Sequence, residues 1–586
     1  CGPEQVPGRE GFTDSGSEGD SGSETATEPD LPVETETGDP ECPELVNTGN
    51  VSIGSFEELE LLDGVTRIDG NVELVGEWGP LEEGLAPLRC LEEITGFLYV
   101  HEVDLDSFVG LERLRRIGGY FYVGQTFNLA SMEGLSALRQ IGSYYHLTEN
   151  FAMVSSAGTD LLVDVGEFVI VDNNPVLGDL AGLASLPGTN GQLRIEGNPS
   201  LISLAGLDSM IGVGGDFSVL NNFALSDTSA LEGIQAIGGN VLWQNNPGVF
   251  SLNFDSVQTI DGFLIVVDMP NLATLDDLFG LIGINGSLYL WNTGLSNIDG
   301  LLDLQFLGGD IWIEGNSNLA NVNGLLSVTE AFGTIRIDQN PNLIDATGLE
   351  NLQIANRGIS LWGNPNLSNV SFASLEVVGE YLRIGFSSVW GIPPTPLHTI
   401  GDDLLLFNNV ALDEVGGFSA LETIGGRLYM RENPALPNVD GFDSLTQVFG
   451  RVQFIDNDAL ANLNGLSQLQ LAQAVNIRGN FLLTSIAGLS GLTEVPGMFK
   501  VVENEALSNL GGLDQLTQIG GDVEFRDNFN LAAIPGFSAL NAVGGSVSIT
   551  GNIDLPTCTA QGFVDQLSFI GGAVTISGNM ADACSP

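Results

Sequence analysis

Ile237-Gly238-Gly239-Asn240-Val241-Leu242-Trp243-Gln244-Asn245-Asn246-Pro247 decides the fold, because its pattern returns along nearly the whole chain. Val241 and Trp243 are apolar with a variable residue between them, the alternation of a short strand with one buried face. The Gly-Gly ahead of the strand permits a corner that needs positive φ or close backbone approach. Asn-Pro behind it is turn chemistry. Ile424-Gly425-Gly426-Arg427-Leu428-Tyr429-Met430-Arg431-Glu432-Asn433-Pro434 reads the same way.

The asparagine sets the period. Asn174, Asn198, Asn222 and Asn246 lie 24 residues apart, as do Asn316, Asn340 and Asn364. The interval returns at Asn409, Asn433 and Asn457, and from Asn480 through Asn504 and Asn528 to Asn552. The unit reads I-G-G-x-h-x-h-x-x-N-P-x-L-x-x-h-x-G-L-x-x-L-x-x, where h is apolar, and its register slips near 269, 292 and 387. One such coil cannot bury its apolar side alone, so coils must stack. The expectation is an all-β, single continuous right-handed β-solenoid of about 23 coils over residues 42–586, a rod roughly 110 Å long. The asparagines should form a ladder, each amide bonding the backbone of the next coil.

The repeated G-x-h-x-h-x-x-N-x-x-L and G-L-x-x-L-x-x-I-G-G segments resemble the receptor L-domain family, the right-handed β-helical ligand-binding modules of insulin and epidermal growth factor receptor ectodomains. The resemblance covers about 540 residues and implies a ligand-binding solenoid. Here the array is continuous, whereas the receptor modules are short and separated by Cys-rich domains. Leucine-rich repeats fit less well, having one residue fewer before the strand and one fewer after the asparagine.

Composition bounds the function. The formal charge is −58, yet 43% of residues are hydrophobic, so most of the chain buries a core. One lysine and sixteen arginines cannot supply a general phosphate-binding surface, which excludes nucleic acid. Residues 1–41 hold twelve acids and one base with hardly any large apolar side chain, so they read as an acidic, disordered Ser/Gly/Thr-rich tether. Opening on Cys1 and a polar spacer, the chain resembles a bacterial lipoprotein. That resemblance implies an acylated Cys1 and a cell-surface or outer-membrane location. The other four cysteines fall in two local pairs, giving disulfides Cys42–Cys90 and Cys558–Cys584 at the two sticky ends of the rod.

Signs of catalysis are few. His101, His146 and His398 lie in different coils, and there is no HExxH, Walker A, GxSxG or EF-hand pattern. Close carboxylate pairs are expected by chance among 75 acids. The acids beside the ladder asparagines (Glu432, Asp456, Glu503, Asp527) read as solvated turn residues rather than Ca²⁺ ligands. The reading is non-enzymatic, with no cofactor and no metal; a polysaccharide-active enzyme is the least favoured alternative.

The repeat frame also says which residues face outward on the strands. Tyr99, Tyr120, Tyr122, Tyr144, Tyr289, Tyr381 and Tyr429 do, with Trp291, Trp312 and Trp362. So do nine bases: Arg194, Arg336, Arg383, Arg427, Arg431, Arg451, Arg478, Lys500 and Arg526. Ten acids share these positions, leaving 53 acids against 7 bases on the rest of the solenoid. Tyr, Trp and Arg dominate interface hot spots, although aromatics also favour strands for their own sake. The N-terminal coils should stack Phe97 and Tyr99, Tyr120 and Tyr122, then Tyr144 and His146. Tyr429 with Arg427, Arg431, Arg451 and Arg478 should form a second, cationic ladder. The first suits an apolar protein surface or sugar rings, the second carboxylates. The expected role is a surface-displayed recognition or adhesion protein with a protein or glycan partner; the alternative is a passive envelope spacer.

Overall fold

A computed structural model describes residues 42–76 and 84–582. Cys1, the acidic segment 1–41 and Cys584 lie outside the described residues.

The chain winds as a parallel β-solenoid of about 22 turns with a spacing near 24 residues. One coil shows how the repeat is built. Gly212–Val213 is a two-residue strand paired with Gly188–Thr189 before it and Ala236–Ile237 after it. The chain turns at Gly214 and Gly215, then runs through the longer strand Phe217–Leu220, in register with Leu193–Glu196 and Val241–Gln244. Phe217 and Val219 are fully buried while Ser218 and Leu220 are half-buried, as the alternation requires. A 3₁₀ turn at Ser229–Leu231 forms the third side. The longer strands stack into one sheet, here called the long sheet, from Val51–Ile53 to Val574–Ser577. A single apolar core runs beneath it from Ile53 to Phe563.

Both glycine positions are needed for closeness, and the second also takes positive φ in several coils, as at Gly110, Gly134, Gly158 and Gly206, between +106° and +121°. A Cβ on Gly238 would collide with the Gly214 carbonyl, and one on Gly324 with the Ile298 carbonyl. Positive φ falls also on the residue just before each ladder asparagine: Asn173, Asn221 and Asn245, but also Glu149, Gln339, Glu432 and Asp527, all between +52° and +57°. A left-handed residue there turns the chain out of the strand.

The asparagine ladder forms, with its direction reversed from expectation: each side chain bonds the preceding coil. Asn198 Oδ1 accepts from the backbone N–H of Asn174 at 3.0 Å, and Asn198 Nδ2 donates to the Val171 carbonyl at 2.9 Å. Every ladder asparagine from Asn150 to Asn552 is fully buried. The register slips occur where Met269, Thr293 and Ser387 replace the asparagine. Thr293 and Ser387 donate their hydroxyls to Asn316 and Asn409 at 2.6 and 2.7 Å, so the ladder survives. The strands there lengthen to six residues, as in Leu264–Met269 and Leu382–Ser387.

Short helices cover the ends. α1 (Phe56–Glu60) buries Leu59 in the first coils, where Cys42 and Cys90 are disulfide-bonded with Cα atoms 5.4 Å apart. α2 (Thr557–Asp565) buries Ala560 and Phe563 in the long last coil. Cys558, in α2, is disulfide-bonded; its expected partner Cys584 is outside the described residues. No described helix is long and apolar enough to cross a membrane.

Candidate functional site

Three outward columns run along the long sheet, one from the position just after the paired glycines and two from within the strand. In the N-terminal coils the first column is a stack of rings. Phe97 lies on Tyr120 at 4.4 Å between centroids, Tyr120 on Tyr144 at 4.6 Å, and Tyr144 on Phe168 at 4.6 Å, all within 9° of parallel. Parallel in-register strands bring identical positions together once per coil, so the ring spacing follows the strand spacing. The second column holds Tyr99, Tyr122 and His146, with centroids 4.8 and 5.2 Å apart. Pairing of Leu98 with Phe121 settles the register of the first of these coils. His101 adds a ring to the same patch, 5.4 Å from Tyr99 and 6.0 Å from Tyr122. Tyr122 lies along the strand over Gly124, where a Cβ would strike its hydroxyl.

All of these rings are half-buried. Partial burial raises the phenol pKa of Tyr99, Tyr120 and Tyr144, and pushes that of Tyr122 up to about 12, helped by Tyr99 and the carboxylates of Glu149 and Asp172. The hydroxyls therefore stay protonated, and none of the four makes a hydrogen bond among the described residues. Round the next turn Phe127 stacks on Phe151 at 5.3 Å, and these are 63% and 46% exposed. Sequence reasoning missed Phe127, Phe151 and Phe168. The first two stand where the repeat calls for Pro; the third breaks the glycine-poor corner Glu167-Phe168, and only its 24-residue offset from Tyr144 marks it.

The other expected face residues are less free. Tyr289 is only 8% exposed, walled in by Phe263 and Trp312. Trp312 donates its indole N–H to Glu314 at 2.5 Å and lies beneath the Arg336 guanidinium at 4.6 Å. Trp291 is half-buried beside Gly315. Trp362 leans over Gly385 onto Phe407, centroids 5.6 Å apart, with Arg383 above it and above Tyr381. Arg383 also reaches the buried Asp338 at 3.0 Å.

The cationic ladder expected around Tyr429 does not stand as a row of free charges. Arg427 grips Asp403 through two nitrogens at 2.6 and 3.0 Å; Arg431 pairs with Glu432 at 2.8 Å and Arg478 with Glu503 at 2.9 Å. Arg451, at a register shift after Val448, is the cluster member without an ion pair among the described residues. Carboxylates at the left-handed turn position supply most of these partners, including Asp456 and Asp527 for Arg431 and Arg526. The turn acids weighed as Ca²⁺ ligands are thus arginine partners, and no metal-holding cluster occurs among the described residues.

Comparison with protein-family models and with curated proteins returns no match for this chain.

Proposed function

We propose that the protein is a non-enzymatic recognition solenoid, exported to an oxidising compartment, whose binding head is the N-terminal aromatic patch and whose remaining coils act as a stiff spacer. The carrying observation is the contiguous ring surface of Phe97, Tyr99, Tyr120, Tyr122, Tyr144, His146 and Phe168. Extended exposed aromatic stripes are uncommon on surfaces that bind nothing. The Cys42–Cys90 disulfide supports export.

The stacking narrows the partner. Sugar recognition by aromatics uses ring faces, and here the faces of Tyr120 and Tyr144 are covered by their neighbours. Ring edges, which carry the positive end of the quadrupole, and four unbonded hydroxyls remain. Such a surface suits a protein partner that offers apolar groups and carbonyl acceptors. The spacer reading of the other coils rests on their arginines, most of which are already closed onto carboxylates.

The test is a panel of extracellular proteins and glycans probed with the full chain and with its Tyr120→Ser/Tyr122→Ser/Tyr144→Ser variant. A protein ligand should lose roughly thirtyfold or more in affinity with the variant. Equal binding by the folded variant, or glycan ligands alone, would overturn the reading.

A further inference from the structure

The bases that are not on the long sheet are unevenly placed. Six of the seven, Arg67, Arg89, Arg113, Arg115, Arg116 and Arg139, fall in the N-terminal coils; the seventh is Arg357. Arg67 and Arg116 share Glu93, and Arg89 pairs with Asp63. Arg115 and Arg139 are exposed and make no ion pair among the described residues, although they stand in adjacent coils: the Arg139 N–H donates to the Arg115 carbonyl at 2.9 Å. Like charges in neighbouring strands repel. In a chain with 75 acids, an adjacent and unneutralised arginine pair calls for an anion.

The chain itself brings one to the spot. Segment 1–41, with twelve acids and one base, joins the solenoid at Cys42. The disulfide holds the Cα of Cys42 5.4 Å from that of Cys90. Two residues beyond Cys90, the Glu92 carbonyl accepts from the Arg115 N–H at 2.8 Å. Leu45 lies two coils before Glu92, through Thr66, so Cys42, where the acidic segment joins, stands one to two coils from Arg115 and two to three from Arg139, roughly 5–10 and 10–15 Å along the stack. That separation is comparable to the Debye length of about 8 Å at physiological salt, and tethering gives the carboxylates a high effective concentration there. Elsewhere the rod is acidic and repels them.

We propose that the acidic segment 1–41 docks in cis on the Arg115–Arg139 pair, beside the aromatic patch and independently of what that patch binds. The charge-assisted contacts are to guanidinium groups, which accommodate carboxylates two nitrogens at a time.

The test is arginine modification by phenylglyoxal in the full chain, read residue by residue by mass spectrometry. Arg357, exposed and likewise without an ion pair among the described residues, is the internal standard. At low salt Arg115 and Arg139 should react roughly threefold or more slowly than Arg357, and the difference should vanish at high salt. A variant with Glu28, Glu34, Glu36 and Glu41 changed to Gln, and Asp30 and Asp39 to Asn, should lose the protection at low salt while leaving every coil intact. Protection that persists in this variant, or rates equal to that of Arg357 in the unaltered chain, would overturn the proposal.

Discussion

Tyr120 and Arg427 occupy the same place in the repeat, the outward position after the paired glycines, far apart in the stack. Around Tyr120 that column is filled by Phe97, Tyr144 and Phe168; around Arg427 by Asp403 and Arg451. The strands pair in parallel in both regions and the coil spacing is alike, yet the columns end in opposite states. Stacked rings satisfy one another's faces and leave edges and hydroxyls open. Arginines and carboxylates in register close on one another, as Arg427 does on Asp403, and Arg451 alone of the cluster is left without an ion pair among the described residues. On a sheet whose strands pair in the same parallel way in both regions, the chemistry of the column separates a head from a shaft.

The two regions should part most clearly when the disulfide is removed. Cys42→Ser/Cys90→Ser opens a loop of 48 residues, worth about 4 kcal/mol on a loop-entropy estimate. Solenoid coils respond to their neighbours, so hydrogen exchange should quicken in the coils around Phe97–Tyr144 and stay unchanged around Arg427–Arg526. Uniform acceleration along the rod would show that the regions are not separable.

The ladder is common to both regions, so Asn174→Ala and Asn504→Ala should cost the same. Each leaves the N–H of Asn150 or Asn480 buried without its acceptor, a loss of about 1–3 kcal/mol. Local exchange rates that differ widely between the two variants would mean that the column chemistry reaches into the core.

Alkali should sharpen the contrast. In the unfolded chain Tyr122 ionises near 10, and in the folded one near 12. Between these values the native state holds the extra proton, so stability present below pH 10 is lost as pH rises through 12. The aromatic coils should loosen first in that window, with phenolate absorbance rising late. A phenolate titration centred near pH 10 with no loss of N-terminal protection contradicts this.

The smallest effect belongs to the shaft. Arg427→Ala removes a part-exposed pair with Asp403, whose carboxylate keeps the backbone N–H of residue 427, and should change stability by about 1 kcal/mol or less, a difference that salt reduces. A larger effect in thermal unfolding would make the ionic columns structural.

Most of the fold was legible because periodicity is a property of the sequence itself: Asn174 to Asn246 and the alternation at Val241–Trp243 give the coil, its strand and its ladder. The left-handed residue was not, since glycine marks it at Gly197, Gly315, Gly363, Gly479, Gly551 and Gly578 while elsewhere the position holds Glu, Gln, Asp, Asn or Phe. The stacked pairs of the aromatic columns followed from the register. The fate of the arginines did not: Arg478 and Arg431 find partners one coil on, at Glu503 and Asp456, positions that the strand pattern counts as turn and not as face.

The backward reach of the asparagines gives the rod a direction. Every coil is completed by the one that follows it, since Asn198 closes both the Asn174 N–H and the Val171 carbonyl. A chain emerging amino end first can therefore lock each turn as the next arrives, keeping only its growing tip unfinished. Assembly of this kind is a ratchet, and peeling it from the carboxyl end should proceed one tooth at a time, in steps of about 24 residues in a pulling experiment.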